Sequence, residues 1–110
     1  MKKFIIVTTE KVGFHKYNDA PDNVAFLRDI HRHKFYIKMG LEVRHTNREL
    51  EFFTVLNELN YFLNQGEDKP MMINSCEMLA TQIKEWADKE YQRNCWVEVW
   101  EDNENGARVE

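Results

Sequence analysis

The segment 33–43 alternates between apolar and polar side chains, and this pattern constrains the fold more than any other part of the 110-residue chain. Its apolar members are Phe35, Ile37, Met39 and Leu41, and its polar members include Lys34, Tyr36 and Lys38. Successive side chains of a β-strand point to opposite faces, so the alternation is typical of a strand with one buried face. The sequence therefore predicts a long strand over His33–Val43.

Three histidines lie at or before the start of this strand. His31 and His33 are two positions apart, and His15 precedes the turn-forming residues 18–23. Because residues two apart on a strand project the same way, His31 and His33 are expected to place two imidazoles on one side. A third imidazole, from His15, would complete a set that leaves one position of a tetrahedral zinc ion open, as in catalytic zinc sites. The alternative is a pair of solvent-facing side chains.

The rest of the chain predicts further strands and two helices. The first part of the chain is expected to form a strand over Phe4–Thr8, a second strand or its continuation into Gly13–His15, and the strand His33–Val43. An amphipathic helix over Glu49–Leu63 follows and ends near Asn64-Gln65-Gly66. The remainder is expected to form a second helix from Asn74 or Ser75 to about Tyr91, a strand over Cys95–Glu101, a turn at Asp102–Gly106 and a short tail. Either Asn74 or Ser75 can cap the second helix, and Asn74 and Glu77 have the spacing of a capping box. This order predicts an α+β fold with both helices on one face of a small antiparallel sheet.

Composition limits the class of protein. A chain of 110 residues, 43% hydrophobic and 31% charged, is expected to form one ordered domain over residues 1–110. No apolar run approaches the length of a membrane span, and Met1–Val7 is interpreted as a first strand rather than a signal peptide. A net charge of −4 argues against nucleic acid as the main partner. Cys76 and Cys95 are interpreted as cytosolic thiols, which predicts a cytoplasmic protein.

Five short segments spread along the chain carry a family pattern. They are Phe14-His15, His31-Arg32-His33, Arg48-Glu49-Leu50-Glu51-Phe52, Asn74-Ser75-Cys76-Glu77 and Val97-Glu98-Val99-Trp100-Glu101. In this order they resemble motifs of the 6-pyruvoyl-tetrahydropterin synthase and 6-carboxy-tetrahydropterin synthase family of T-fold proteins. Those motifs are the first zinc histidine, a His-Gly-His pair, Met-Val-x-Asp-Phe, Pro-Thr-x-Glu and a terminal Val-x-Val-x-Glu-Thr. The resemblance covers nearly the whole chain.

The resemblance implies a zinc site and a ligand site. Zinc would be held by His15, His31 and His33, and Glu101 would grip a pterin. A carboxylate can accept two parallel hydrogen bonds from the edge of a 2-aminopyrimidinone ring, which pterin and guanine share. Ser75 and Glu77 are further ligand-binding candidates. The alternatives are a solvated acid for Glu101 and helix capping for Ser75 and Glu77.

The chain lacks two catalytic features of the family. Residues 24–29, before the histidine pair, contain no cysteine, and residues 61–72 contain no histidine for the family's Asp-His dyad. Cys76 is a candidate substitute, because the dipole at a helix start lowers the pKa of a thiol. His45 is another, if it faces the site of a neighbouring subunit. The alternatives are a buried small hydrophobe for Cys76 and an exposed loop histidine for His45.

Two functions remain open from the sequence. The first is a zinc-dependent lyase of the synthase type that acts on a pterin or related purine-like metabolite; the second is a non-catalytic module that binds or sequesters such a ligand. T-fold sheets join between subunits into a barrel, so the resemblance implies a homo-oligomer built from trimers or tetramers. Arg28, Arg32, Arg44 and Arg48 could then gather around the site and hold a phosphate or carboxylate, or could simply be surface residues.

Overall fold

The chain folds into an α+β structure over the residues that the computed structural model describes, namely 1–64, 71–73 and 75–110. The elements are β1 (Lys3–His15), a 3₁₀ helix (Asp22–Arg28), β2 (His31–Val43), α1 (Phe52–Asn64), β3 (Met71–Met72), α2 (Cys76–Tyr91), β4 (Cys95–Glu101) and β5 (Asn105–Val109). Within these ranges, neither α-helix combines the length and apolar character that crossing a bilayer requires.

The sheet is built around the long strand that the alternation predicted. Its order is β3-β1-β2-β4-β5, and the four longer strands are antiparallel to their neighbours, whereas β3 runs parallel to β1. Strands β1 and β2 pair from Lys3 opposite Val43 to His15 opposite His31. The predicted strand is confirmed and begins two residues earlier than expected, at His31. Residues Gly13–His15 are the continuation of the first strand.

Both helices cover one face of this sheet. Phe35, Ile37, Met39 and Leu41 are fully buried, as their alternation predicted. They share one core cluster with the buried residues of the two helices, which are Val55, Leu59 and Leu63 in α1 and Cys76, Leu79, Ala80, Ile83 and Ala87 in α2. The prediction of two helices on one face is therefore confirmed.

Helix α1 begins later than predicted, at Phe52 rather than Glu49. The Glu51 carboxylate accepts hydrogen bonds from the backbone N–H groups of Phe53 and Thr54, at 3.0 and 2.8 Å. A side chain that satisfies the free N–H groups of the first turn marks a helix start, and it leaves the preceding residues outside the helix. The helix extends through Asn64; the rest of its predicted end, Gln65-Gly66, lies outside the described residues.

The predicted short tail and the last residues of the predicted turn form a further strand. Residues 105–109 form β5, which pairs with β4 and completes the sheet. The connection works because Asp102 and Asn103 adopt left-handed backbone conformations, with φ of 49° and 60°. Aspartate and asparagine tolerate this region, which suits the twist of antiparallel hairpins.

On the other face of the sheet, Gly40 packs closely against a tryptophan. A Cβ at Gly40 would lie 2.3 Å from the indole ring of Trp96, which stands on the neighbouring strand. Arg108 of β5 in turn lies over the same indole, with its guanidinium carbon 4.0 Å from the ring centroid. This close packing fixes the register of the central strands.

Candidate metal centre

The strand register brings the three predicted histidines together. His15 lies directly opposite His31 on the neighbouring strand, and His33 follows two residues later on the same face. The ring centroids are 4.3 Å apart for His15 and His31, 5.0 Å for His15 and His33, and 4.8 Å for His31 and His33. One nitrogen of each ring lies within 4.8 Å of the others. The three imidazoles therefore converge on one point, as predicted.

The outer nitrogens of two rings already have acceptors. Nδ1 of His31 lies 2.7 Å from the backbone oxygen of Asp29. Nδ1 of His33 contacts a carboxylate oxygen of Asp102. Because a carbonyl or an ionised carboxylate only accepts hydrogen bonds, each Nδ1 is the donor, and in the neutral tautomer of each ring Nε2 then has a free lone pair. This is the arrangement by which metal-binding histidines are usually oriented.

The Nε2 atom of His31 is buried and has no hydrogen-bond partner among the described residues. Leaving a buried polar atom unpaired costs about 1–3 kcal/mol. A cation at the common centre would remove this cost, since the lone pair would become a metal ligand. The donor set of three neutral imidazoles fits zinc with one position open.

His15 is the most buried of the three histidines, with 8% of its surface exposed. Burial lowers the pKa of His15 and outweighs the opposing effect of the Glu101 carboxylate, so the ring favours its neutral form. Neutral imidazole is the form that binds a metal. The cluster therefore has the protonation state that a metal site requires at this position.

Glu101 lies beside the histidines at the end of β4. Its register partner is Phe35, so it projects from the same face of the sheet as His33. One carboxylate oxygen of Glu101 lies 3.3 Å from Nε2 of His15, and the other lies 3.9 Å from Nε2 of His33. With 31% of its side chain exposed, Glu101 is neither fully solvated nor sealed in the core. It can therefore contact both the histidine cluster and a ligand.

A cleft of about 730 Å³ opens next to this carboxylate. His15, His31 and Glu101 form one wall of it, and Ser75, Cys76 and Glu77, at the start of α2, form another. Two of the predicted metal residues and the predicted ligand residues therefore line one cavity, although they come from four different elements; His33 is not among the lining residues.

Ser75 has a structural role in this wall. It is the N-cap of α2, and its hydroxyl accepts a hydrogen bond of 3.0 Å from the backbone N–H of Met78. The capping interpretation is confirmed for Ser75. Glu77 is exposed in the first turn, and Asn74, its predicted capping-box partner, lies outside the described residues.

The prediction that the helix start lowers the pKa of Cys76 was wrong. Burial raises the pKa of this thiol to about 12, and the charges of Glu101 and Glu77 act in the same direction. Desolvation therefore outweighs the helix dipole. Cys76 keeps its proton at neutral pH and is a weak nucleophile there. Cys95 is likewise a free, buried thiol.

The structure does not bring His45 to the cleft within one chain. His45 follows the far end of β2, roughly 40 Å along the strand from His31 at the usual rise per residue. Its side chain is 59% exposed, and its Nε2 lies 3.8 Å from Glu49. The exposed-loop interpretation therefore describes His45 in the single chain, and a role in a neighbouring subunit's site stays a prediction.

The four arginines do not gather around the site within one chain. Arg28 holds its own loop, donating to the backbone oxygen of Ala20 at 2.5 Å and to Asp22 at 2.9 Å. Arg32 is exposed and alternates with the histidines, so it projects from the opposite face of the sheet. Arg44 and Arg48 follow the end of β2 that is remote from the histidines. Anion binding by this group has no support from a single chain.

Asp102 is the site residue that the sequence analysis missed. Its carboxylate contacts Nδ1 of His33 and accepts a hydrogen bond of 2.9 Å from the backbone N–H of Lys34. These two hydrogen bonds, the backbone one first, lower the pKa of Asp102. The available signal was its position, directly after Glu101 in the turn of a β-hairpin.

Comparison with known proteins adds no relative to this description: no protein-family model and no curated protein matches the chain. The fold and the site together define an α+β protein with a candidate three-histidine metal centre beside an open cleft. The chemistry of that centre is the basis for assigning a function.

Proposed function

We propose that this protein binds zinc through His15, His31 and His33 and holds a pterin or related purine-like metabolite in the adjacent cleft. It would be a divergent member of the 6-pyruvoyl- and 6-carboxy-tetrahydropterin synthase family. The observation that carries the metal site is the buried, unpartnered Nε2 of His31 in a cluster of three imidazoles, in which one nitrogen of each ring lies within 4.8 Å of the others. A divalent cation is the ligand that such a set of lone pairs favours.

The ligand part of the proposal depends on Glu101 and the size of the cleft. A volume of about 730 Å³ falls within the usual range for small-molecule sites. The two oxygens of Glu101 can accept paired hydrogen bonds from the N–H and amino groups of a 2-aminopyrimidinone ring. A bound zinc ion would supply polarisation of a substrate oxygen. The chain's own residues would bind and orient the ring.

A non-catalytic binding module is the second candidate, and two observations favour it. Burial raises the pKa of Cys76 to about 12, which keeps the thiol protonated at neutral pH so that it neither donates nor accepts a proton readily, and His45 lies at the opposite end of β2. A lyase of this class needs groups positioned to move protons, each contributing about 10²–10⁴-fold to the rate. Without a neighbouring subunit's groups, the cleft would bind its ligand and return it unchanged.

We also propose that the chain assembles into a T-fold homo-oligomer of trimers or tetramers. Among the residues that the structure describes, the sheet ends on one side in β5 and on the other in the two-residue β3, so these two strands are the edges at which subunits would pair. Ile6, on the sheet face away from the helices, is 51% exposed. Edge pairing between subunits would satisfy backbone groups that an isolated sheet leaves open.

Native mass spectrometry with metal analysis tests the zinc site and the assembly together. After incubation with zinc, the mass of the unmodified protein should correspond to an oligomer that carries about one zinc ion per chain. The double variant His31→Ala/His33→Ala should lose the metal, whereas the control His45→Ala should retain it. A metal-free unmodified protein, or equal zinc in the double variant, would overturn the zinc site. A monomer at micromolar concentration would overturn the assembly.

Titration with dihydroneopterin triphosphate tests the ligand and separates the two functions. Glu101→Gln should weaken binding about 10–100-fold, since hydrogen bonds to a charged group contribute about 1.5–3 kcal/mol. Glu104→Gln, which removes the same charge in the exposed turn, is the matched control. Product formation would identify the enzyme, and binding without product would identify the binding module. Absence of binding would overturn the pterin assignment.

A further inference from the structure

Asp102 connects the β4–β5 turn to the start of β2 through three contacts. Its backbone N–H donates to the carbonyl of Lys34 at 2.8 Å, and one carboxylate oxygen accepts from the N–H of Lys34 at 2.9 Å. The other carboxylate oxygen contacts Nδ1 of His33. The left-handed backbone of Asp102, with φ of 49°, places the side chain over β2. Each of its two oxygens therefore has a separate partner.

We infer that Asp102 is a positioning residue of the metal centre, an inference that depends on the proposed zinc site. Its carboxylate keeps the proton of His33 on Nδ1 and directs Nε2 toward His15 and His31. For His31 the same task is done by a backbone oxygen, that of Asp29. The two adjacent histidines of β2 are therefore oriented by different means, and only one of them depends on a side chain.

The conformation of the turn does not by itself require an acidic residue at position 102. Asparagine or glycine would also adopt the left-handed conformation, because both tolerate positive φ. Asparagine, however, has one acceptor oxygen, whereas His33 and Lys34 contact two different oxygens of Asp102. A carboxylate also makes the bound imidazole a stronger ligand. With Glu101 nearby, the site places two carboxylates beside three imidazole rings, and a divalent cation would balance the charge of the carboxylates.

Zinc affinity of Asp102→Asn, measured by competition with a chelating dye, tests this role. Loss of an outer partner of a ligating histidine typically weakens metal binding about 10–100-fold, and this loss is expected here. Glu104→Gln is the matched control, since it removes one charge from the same turn, and it should bind zinc as the unmodified protein does. Cobalt substituted for zinc should show a shifted visible absorption band in Asp102→Asn and an unchanged band in the control.

A double-variant cycle distinguishes positioning from a general loss of structure. In a His33→Ala background, Asp102→Asn should cause no further loss of affinity, because its partner ring is absent. If Asp102→Asn does not fold, Asp102→Gly replaces it, since glycine adopts the turn conformation without strain.

The outcomes separate this inference from the proposed function. Failure of the unmodified protein to bind zinc would overturn both. Zinc binding within about twofold of the unmodified protein in Asp102→Asn would overturn the role of Asp102 alone and leave the three-histidine site in place. An equal loss of affinity in the His33→Ala background would also overturn it.

Discussion

At the scale of single residues, the Glu49 carboxylate uses both of its oxygens to bind groups at the end of the sheet that is remote from the histidines. One oxygen accepts from the backbone N–H groups of Arg44 and His45, at 2.9 and 3.3 Å, and the other pairs with Arg93 at 2.5 Å. Arg93 also donates to the backbone oxygen of Glu42 at 3.0 Å. The hydrogen bond from Arg44, followed by that from Arg93, lowers the pKa of Glu49 to about 2. This carboxylate therefore joins β2, the following loop and the segment before β4.

Replacing Glu49 with glutamine should flatten the acid dependence of stability. The pKa of Glu49 is about 2 in the folded chain against an ordinary value of 4.5, so its ionised form stabilises the fold above pH 4.5. That stabilisation is lost as the pH falls from 4.5 toward 2. Urea unfolding of Glu49→Gln should show a smaller decrease over this interval than the unmodified protein shows. Glu104→Gln, at the exposed turn, is the control, and equal acid slopes in all three proteins would contradict the prediction.

At the scale of elements, side-chain caps set the helix starts. Ser75 caps α2, and Glu51 serves the first turn of α1. At the other end of α2, Gln92 adopts a left-handed conformation with φ of 51°, and its N–H donates to the carbonyl of Asp88. Hydrophobic periodicity predicted both helices, but periodicity does not specify which polar residue turns back to bind the free N–H groups.

Ser75→Ala should destabilise the protein by about 1 kcal/mol, because the backbone N–H of Met78 loses its acceptor. Ser75→Asp should retain most of the stability, since aspartate is an equally good N-cap. Thermal unfolding followed by circular dichroism measures both. If the alanine and aspartate variants melt together, the cap does not stabilise α2 in this way. A loss of ligand binding in Ser75→Asp at unchanged stability would assign Ser75 a second role in the cleft.

At the scale of the whole molecule, one core joins both helices to the sheet. Leu59 in α1 and Ile83 in α2 are both fully buried in the cluster that contains Ile37. Phe62 of α1 also stacks on Trp86 of α2, with ring centroids 4.9 Å apart. A helix that packs its buried face into the same core as another helix is not expected to unfold separately. The part of the fold that the structure describes should therefore unfold in a single cooperative transition.

Ile83→Ala should destabilise the protein by about 2–5 kcal/mol, and Ile83→Val by about 0.5–1.5 kcal/mol, because each removes buried methyl groups and leaves a cavity. Tyr61→Ala, at a side chain that is 71% exposed, should change stability by no more than about 0.5 kcal/mol. Urea unfolding followed by helix signal and by tryptophan fluorescence measures the effect. Non-coincident transitions would show that α2 and the sheet do not form one unit.

The sequence by itself determined the features that repeat locally. Alternation over 33–43 identified the central strand and its buried face, and the two-residue spacing of His31 and His33 placed both rings on one side. These predictions succeeded because side-chain direction along a strand follows from backbone geometry alone. The convergence of His15 was also predicted, from the turn-forming residues 18–23 that let the chain fold back between the two strands, although the connection also contains a 3₁₀ helix.

Only the tertiary structure decided the features that depend on register and burial. The contact of Asp102 with His33 and the burial and Glu101 charge that raise the pKa of Cys76 involve residues far apart in sequence. The pairing of residues 105–109 as β5 is a local hairpin, but it depends on the backbone conformation of its turn. The local sequence pattern does not specify which distant group will contact a given side chain, or how far that side chain will be shielded from water. Hydrogen bonding and desolvation between remote segments therefore determined the surroundings of the site, while local geometry determined its ligands.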